Sequence, residues 1–270
     1  MAEILQLAKE IATTAGKLIL SLQGKTEIQY KETSYNLVTM ADKESEKAIF
    51  SLIRSSMPDS IIMSEETLWQ QNIMAERLWI IDPLDGTNNF AHSIPHYCVS
   101  VAYAEKGSVK VAVIYDPNRD ELFTAESGSG AFCNGERITV SQNKSLKESV
   151  IATGFYYERG EMMQNTLFSI FRLFNENIQG IRRMGSAALD LAWVACGRYD
   201  GYFEYKLSPW DFAAGALLLK EAGGIFGDRE GVDQGLRSQG VICSNKCLFE
   251  EFSGLVKWSL VSNEKQLVLR

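Results

Sequence analysis

The sequence predicts an α+β fold, on three observations. Apolar residues recur with a helical period near both ends of the chain. Between residues 78 and 140 that period gives way to short runs of β-branched and aromatic residues. Helices and strands come in blocks, without strict alternation, and such blocks pack as layers. No repeat, low-complexity segment or linker interrupts the 270 residues. The chain therefore reads as one domain over 1–270, with two lobes of roughly 1–145 and 146–270.

Each element has its own signal. Ile4, Ala8, Ile11, Ala15, Leu18 and Leu22 form one face of a long amphipathic helix over 3–23, which Gly24 stops. Residues 25–41 are polar, contain KETSYN, and read as a mobile loop or hairpin tip. A second helix over 42–57 turns Ala48, Ile49, Leu52 and Ile53 inward, carries Asp42 near its start and ends at Met57-Pro58-Asp59. SIIMSEE, 60–66, is a short strand running into Glu65 and Glu66. LWII, YCVSVAYA, VKVAVIYD and ELFTAE are strands, with turns marked by Gly107 and DPNRD. Residues 148–153 read as a strand and 161–177 as a helix. GSAALDLAWVACG and WDFAAGALLLKEAGG are helices of small residues that end at glycine. VICSN is a strand, and 246–258 is a closing helix.

Composition narrows the functional classes. Hydrophobic residues make up 46% and charged residues 23%, enough apolar material for a full core. No apolar run approaches the ~18 residues that span a bilayer. MAEILQLAKE has no basic-then-apolar targeting pattern, so a soluble cytoplasmic protein without membrane partners is expected. Five cysteines, an odd number without a CxxC, read as free thiols. His92 and His96 are four apart, but Pro95 between them spoils the helix a zinc pair would need. The net charge of -7 argues against strong direct nucleic-acid binding. An acidic protein that handles an anion must supply counter-charge, and a metal ion is the obvious means.

WIIDPLDGTNNF, 79–90, drives an apolar strand into two carboxylates three residues apart, Asp82 and Asp85. Like charges at close range cost free energy without a counter-charge. Pro83 fixes a turn, and Gly86 lets the backbone approach something closely. Carboxylates and carbonyl oxygens at a strand end make the hard-oxygen surroundings that Mg²⁺ takes. A DPLDG turn that only caps a strand is the plain alternative. Glu65 and Glu66 follow another apolar strand, and Asp211 stands at the start of a helix, where an N-cap is its simplest role. Four carboxylates at the ends of apolar elements favour a shared site for divalent ions that would leave positive charge for a phosphate.

These blocks resemble the inositol monophosphatase family over essentially the whole chain. WIIDPLDGTNNF matches its first motif, and WDFAAG with EAGG its second. GSAALDLAWVACGRYDGYFE lies between them, and NLVTMAD and SEE lie upstream at the expected spacing. The resemblance implies a layered α/β/α/β/α sandwich of the inositol monophosphatase and fructose bisphosphatase type. It also implies Mg²⁺, two to three ions per active site. Glu65, Asp82 and the carbonyl of Leu84 would hold one ion, and Asp82, Asp85 and Asp211 a second. A third, looser ion would lean on Glu65 through waters. Thr87, paired with Asp42, would help activate the attacking water, so that Thr87, Asp42 and Glu65 serve catalysis. Backbone N–H groups at Gly86 and Thr87 would hold phosphate oxygens. Glu204 would accept hydroxyls of the substrate, Gly185, Ser186 and Ala187 would line its pocket, and Lys31 would stand on a loop beside the metals. Asn88 and Asn36 depart from the commoner Thr or Ser and Asp of the family.

The implied activity is hydrolysis of myo-inositol monophosphate by metal-activated water, the substrate being a small phosphorylated polyol. The same chemistry on fructose 1,6-bisphosphate, histidinol phosphate or 3′-phosphoadenosine 5′-phosphate stands as an alternative. A nucleotide would need an adenine slot, and none is legible in the sequence. The resemblance further implies a homodimer, and its SuhB-type members add a role as partners of the transcription machinery.

Overall fold

The structure is a computed structural model that describes residues 1–25, 28–30, 37–155 and 160–260. Helix α1 (Ala2–Leu22) is followed by a two-stranded antiparallel ribbon, β1 (Ile28–Tyr30) and β2 (Leu37–Thr39), and by α2 (Met40–Ser56). Of the loop and hairpin readings of 25–41, the antiparallel pairing fits the hairpin; Lys31 and Asn36 lie outside the described residues. The second helix starts two residues earlier than expected because Thr39 caps it. Its hydroxyl accepts from Ala41 N at 3.1 Å, while Asp42 closes a capping box from the third helical position.

Seven strands follow: β3 (Ile61–Ser64), β4 (Leu78–Asp85), β5 (Cys98–Glu105), β6 (Ser108–Asp116), β7 (Glu121–Glu126), β8 (Gly130–Cys133) and β9 (Glu136–Ile138). The short helix α3 (Thr87–Ala91) interrupts them after β4. They form one sheet in sequence order, parallel only between β3 and β4. Residues 150–244 build a second, five-stranded sheet from β10 (Val150–Thr153), β11 (Gly180–Arg182), β12 (Gly201–Glu204), β13 (Ile225–Gly227) and β14 (Val241–Ser244), in the order β11-β10-β12-β14-β13. Between these strands run α4 (Glu161–Asn175), α5 (Ala187–Ala195) and α6 (Pro209–Glu221), and α7 (Phe249–Val256) closes the described fold.

Period two sorts the strand residues between layers. Trp79, Ile81, Val99, Val101 and Tyr103 pack with Ile11, Ile19 and Ile49 of α1 and α2. Ile80, Ala102 and Ala104 of the same strands, with Ala112 of β6, face the other way, onto α5 and α6. Those helices are rich in alanine, and small residues on both surfaces let helix and sheet approach closely. Tyr202 and Cys243 of the second sheet close this middle layer, while Phe203 and Ile242 turn outward to Leu173 of α4 and Phe252 of α7. The order of layers is helix, sheet, helix, sheet, helix, as expected.

Five strands of three or four residues (β8, β9, β11, β12, β13) and α3 were not expected. All five cysteines are free. Among the described residues no helix is long and apolar enough to cross a membrane.

Candidate active site

Two carboxylates three apart on a regular strand would point to opposite faces. The backbone of β4 resolves this. Asp82 pairs with Ser100 and Asp85 with Cys98, so three steps along β4 meet two along β5. This is a β-bulge, and it re-aims the side chains so that Asp82 and Asp85 line one cavity. DPLDG is therefore a bulged strand end and not a β-turn. Leu84 N donates to Asp82 Oδ1 at 3.0 Å, and Ser45 Oγ of α2 donates to Pro83 O at 2.8 Å, which fixes the bulge.

Gly86 follows with φ +96°, and a Cβ there would stand 3.1 Å from His96 O. Glycine alone meets both demands. Thr87 then opens α3. Its Oγ1 lies 3.0 Å from Asp42 Oδ1 and 3.1 Å from Leu84 O, two acceptors for one hydroxyl proton. The other oxygen of Asp42 accepts from Thr39 N and Thr39 Oγ1, both at 2.7 Å. Burial pushes the Asp42 carboxyl up to about 6, against the hydrogen bonds that favour its charge.

The middle helices bring the remaining groups. Asp85 Oδ2 accepts from Ser186 Oγ at 2.6 Å and Ala188 N at 2.8 Å, at the start of α5. Asp211 stands at the third position of α6 and takes Ser208 N at 2.6 Å; Ser208 is the N-cap and Pro209 the first helical residue. Asp211 is thus the partner in a capping box and not the cap. A carboxylate has about four acceptor sites, so these bonds leave capacity on each. Glu204, at the end of β12, takes the Tyr202 hydroxyl on Oε2 at 2.6 Å. Burial raises its carboxyl to about 7, and Arg183 opposes the rise. Asp82 is held well above the usual range, first by burial and then by Glu65, Asp85 and Asp211. Asp211 is raised by burial and then by Glu65 and Asp85.

A cavity of about 510 Å³ gathers most of the expected residues. Glu65, Asp82, Leu84, Asp85 and Asp211 line it, as do Gly86 and Thr87. Gly185, Ser186, Ala187 and Glu204 line it from the second sheet and the middle helices. Asp42 stands behind Thr87 and reaches the cavity only through that hydroxyl. Lys31 lies outside the described residues. Among the described residues no three acidic, histidine or cysteine side chains already stand as a metal-ligand group. The fit to a cation rests instead on the donor set: carboxylate oxygens from three parts of the chain, the loop after β3, strand β4 and the start of α6, gathered around a buried Asp82 that Glu65, Asp85 and Asp211 all push up. Hard divalent cations take such donors.

Other lining residues were missed. Asp190 lies one turn along α5, and its Oδ1 is 3.7 Å from the buried His96 Nε2. Its signal was a lone carboxylate in the apolar run AALDLAWVA. Arg183 and Trp69 also line the cavity. Nothing local marks them, because the groups they face are distant in sequence.

The sequence profile of the inositol monophosphatase family matches residues 1–257. The chain belongs to the inositol monophosphatase family. It is similar to the Nus factor SuhB of Escherichia coli (strain K12), 42% identical over 247 residues that cover 91% of this chain and 92% of that protein. It is also similar to the inositol-1-monophosphatase of Synechocystis sp., 41% identical over 250 residues covering 92% and 87%. The solved structure of the extragenic suppressor protein suhB from Bartonella henselae superposes with a TM-score of 0.88 at 37% identity, covering 95% of this chain and 99% of that one. The α+β fold class is that of the family, and membership makes the chain a metal-dependent phosphatase of the inositol monophosphatase type.

Proposed function

We propose that the chain hydrolyses the monophosphate ester of a small polyol, myo-inositol monophosphate first, at the cavity of Glu65, Asp82, Asp85 and Asp211. The observation that carries this reading is the bulge that turns Asp82 and Asp85 onto one cavity with Asp211. Such a cluster is costly in an empty protein, because burial and like charge both oppose ionisation. Two to three Mg²⁺ ions, held by those carboxylates and the Leu84 carbonyl, would acidify water and offset the charge of the phosphate dianion.

The residues divide the work. Thr87 Oγ1 orients the attacking water and accepts its proton as its own passes to Asp42 Oδ1. A carboxyl at about 6 is suited to that, since a base near the working pH is most effective. Gly86 and Thr87 N–H groups, at the start of α3 where amides lack intrahelical partners, receive phosphate oxygens. Glu204 accepts a substrate hydroxyl while the Tyr202 hydroxyl holds its carboxylate in place. Gly185, Ser186 and Ala187 shape the wall beside it. The test is phosphate release from inositol 1-phosphate with Mg²⁺ and with excess chelator. Release in Mg²⁺ alone is expected; full activity in chelator removes the metal mechanism, and none in either removes the substrate.

A homodimer is supported by α4, where Leu167, Phe171 and Phe174 form an exposed apolar stripe, 49–63% exposed. Sedimentation of the wild type against Phe171→Glu tests it, with a shift to monomer expected in the variant.

A further inference from the structure

We propose that Trp69 is an aromatic platform at the mouth of the catalytic cavity, extending the enzyme's substrates beyond polyol esters to phosphomonoesters whose alcohol carries a flat aromatic ring. This rests on the phosphatase reading above. Trp69 lines the same cavity as Glu65, Asp82 and Glu204, yet it is 56% exposed. Covering a tryptophan removes a large apolar area from water, so an indole left open at a cavity mouth stands ready for a ligand that covers it.

Trp69 is not on loose chain. Ser64 N donates to Leu68 O at 3.2 Å, and the two residues form an antiparallel bridge. Between them, Thr67 donates its N–H and its hydroxyl to the Glu46 carboxylate of α2, at 3.2 and 2.9 Å. The stretch from Glu65 to Trp69 is therefore a tight loop tied to the fold, with a carboxylate for the reaction at one end and an indole at the other. Phe155, after β10, and Leu207, after β12, line the same cavity and are partly exposed. The lining of the cavity therefore holds these two aromatic rings and a leucine as well as its carboxylates.

A bare polyol makes poor use of those rings, because each of its hydroxyls wants a hydrogen-bond partner. An aryl ring or a nucleobase offers a π-face that stacks on an indole whatever its edge carries. The bond changes stay those of ester hydrolysis: water oxygen joins phosphorus, the ester P–O bond breaks, and the alcohol leaves with a proton. Only the leaving alcohol touches Trp69.

The experiment measures kcat and KM of wild type, Trp69→Ala and Trp69→Phe in Mg²⁺ on glycerol 2-phosphate, 2-phenylethyl phosphate and adenosine 3′-phosphate. The readout is kcat/KM for each ring-bearing ester relative to glycerol 2-phosphate. Trp69→Ala should lower that ratio roughly tenfold, the scale of one lost stacking contact, mainly through KM. Trp69→Phe should keep most of it. A fall for both ring esters means a general aromatic platform; a fall for the adenosine ester alone means a nucleoside site. A ratio unchanged in Trp69→Ala, or a fall confined to kcat, overturns the proposal while the phosphatase reading stands. Wild type that releases phosphate from inositol 1-phosphate but from neither ring ester overturns the proposal alone; wild type inactive on inositol 1-phosphate and on all three esters overturns both.

Discussion

Replacing Glu204 by glutamine keeps the shape of the side chain and removes its charge. The side chain is 8% exposed, and it packs so tightly on Gly154 that a Cβ there would stand 1.8 Å from Oε2. Glutamine therefore keeps its place, and its carbonyl oxygen can still take the Tyr202 hydroxyl, now 2.6 Å from Oε2. With that oxygen on Tyr202 the amide N–H₂ takes the place of Oε1, so the charged acceptor of a substrate hydroxyl is replaced by a neutral donor to it. A hydrogen bond to a charged group contributes ~1.5–3 kcal/mol, against ~0.5–1.5 for a neutral one. The difference, about 1–1.5 kcal/mol, is roughly tenfold in kcat/KM for inositol 1-phosphate. An ester with no hydroxyl to offer, such as methyl phosphate, should change little. The same group sets a pH dependence. The Glu204 carboxyl is raised to about 7, and only its carboxylate accepts well from the substrate. Preference for inositol 1-phosphate over methyl phosphate should therefore grow as pH rises through that range, with bound cations moving the midpoint down. The assay is phosphate release from both esters at fixed free Mg²⁺ between pH 6 and 9. Taking the ratio of the two cancels groups that act on both, such as Asp42. Equal losses on both esters in Glu204→Gln, or a ratio whose pH dependence survives the substitution, would refute the assignment.

Asp82→Asn should lower kcat by at least ~10³-fold, on the order of 4 kcal/mol of barrier, with unchanged circular dichroism; activity within tenfold of wild type contradicts the central role given to Asp82. Without metal the same variant should melt above the wild type, because the repulsion from Glu65, Asp85 and Asp211 is relieved. Thr87→Val should cost ~10²-fold or more in kcat, with KM steady, and Thr87→Ser should recover most of it; the reverse order would reject the hydroxyl relay. Asp42 and Asp190 are each raised to about 6 and Glu204 to about 7. A raised folded pKa contributes stability that is present below the unfolded value and lost as pH rises through the folded one. Metal-free protein should therefore melt lower at pH 8 than at pH 5.5, each aspartate contributing on the order of 1 kcal/mol over that interval and Glu204 about 2, and the opposite slope in a melting series would contradict the buried charges.

The sequence revealed what repeats or alternates. Strands β4 to β7 carry six to nine residues each, enough for period two to show, and α1 carries six turns of one apolar face. Strands β8, β9, β11 and β13 hold three or four residues each, too few for a period, and β12 hides in GRYDGYFE behind glycine and aspartate. In the site, the carboxylates were legible because they lie in compact motifs. The bulge was not: Pro83 and Gly86 announce a break in the pleat, but whether the chain turns or slips by one residue depends on pairing with β5. His96 against Asp190 and the tie of Thr67 to Glu46 join residues 94 and 21 apart in sequence, and no local pattern carries them.

The central claim is that four carboxylates from three separate parts of the chain, the loop after β3, strand β4 and the start of α6, form one site for divalent ions. Titration calorimetry of Mg²⁺ into metal-free enzyme, with inorganic phosphate present, tests it most directly. At least two ions per chain should bind to wild type, and Asp82→Asn, Asp85→Asn and Asp211→Asn should each lose stoichiometry or affinity. Glu204→Gln should leave the count intact. Fewer than two ions in the wild type, or binding that none of the three aspartate variants alters, would contradict the account.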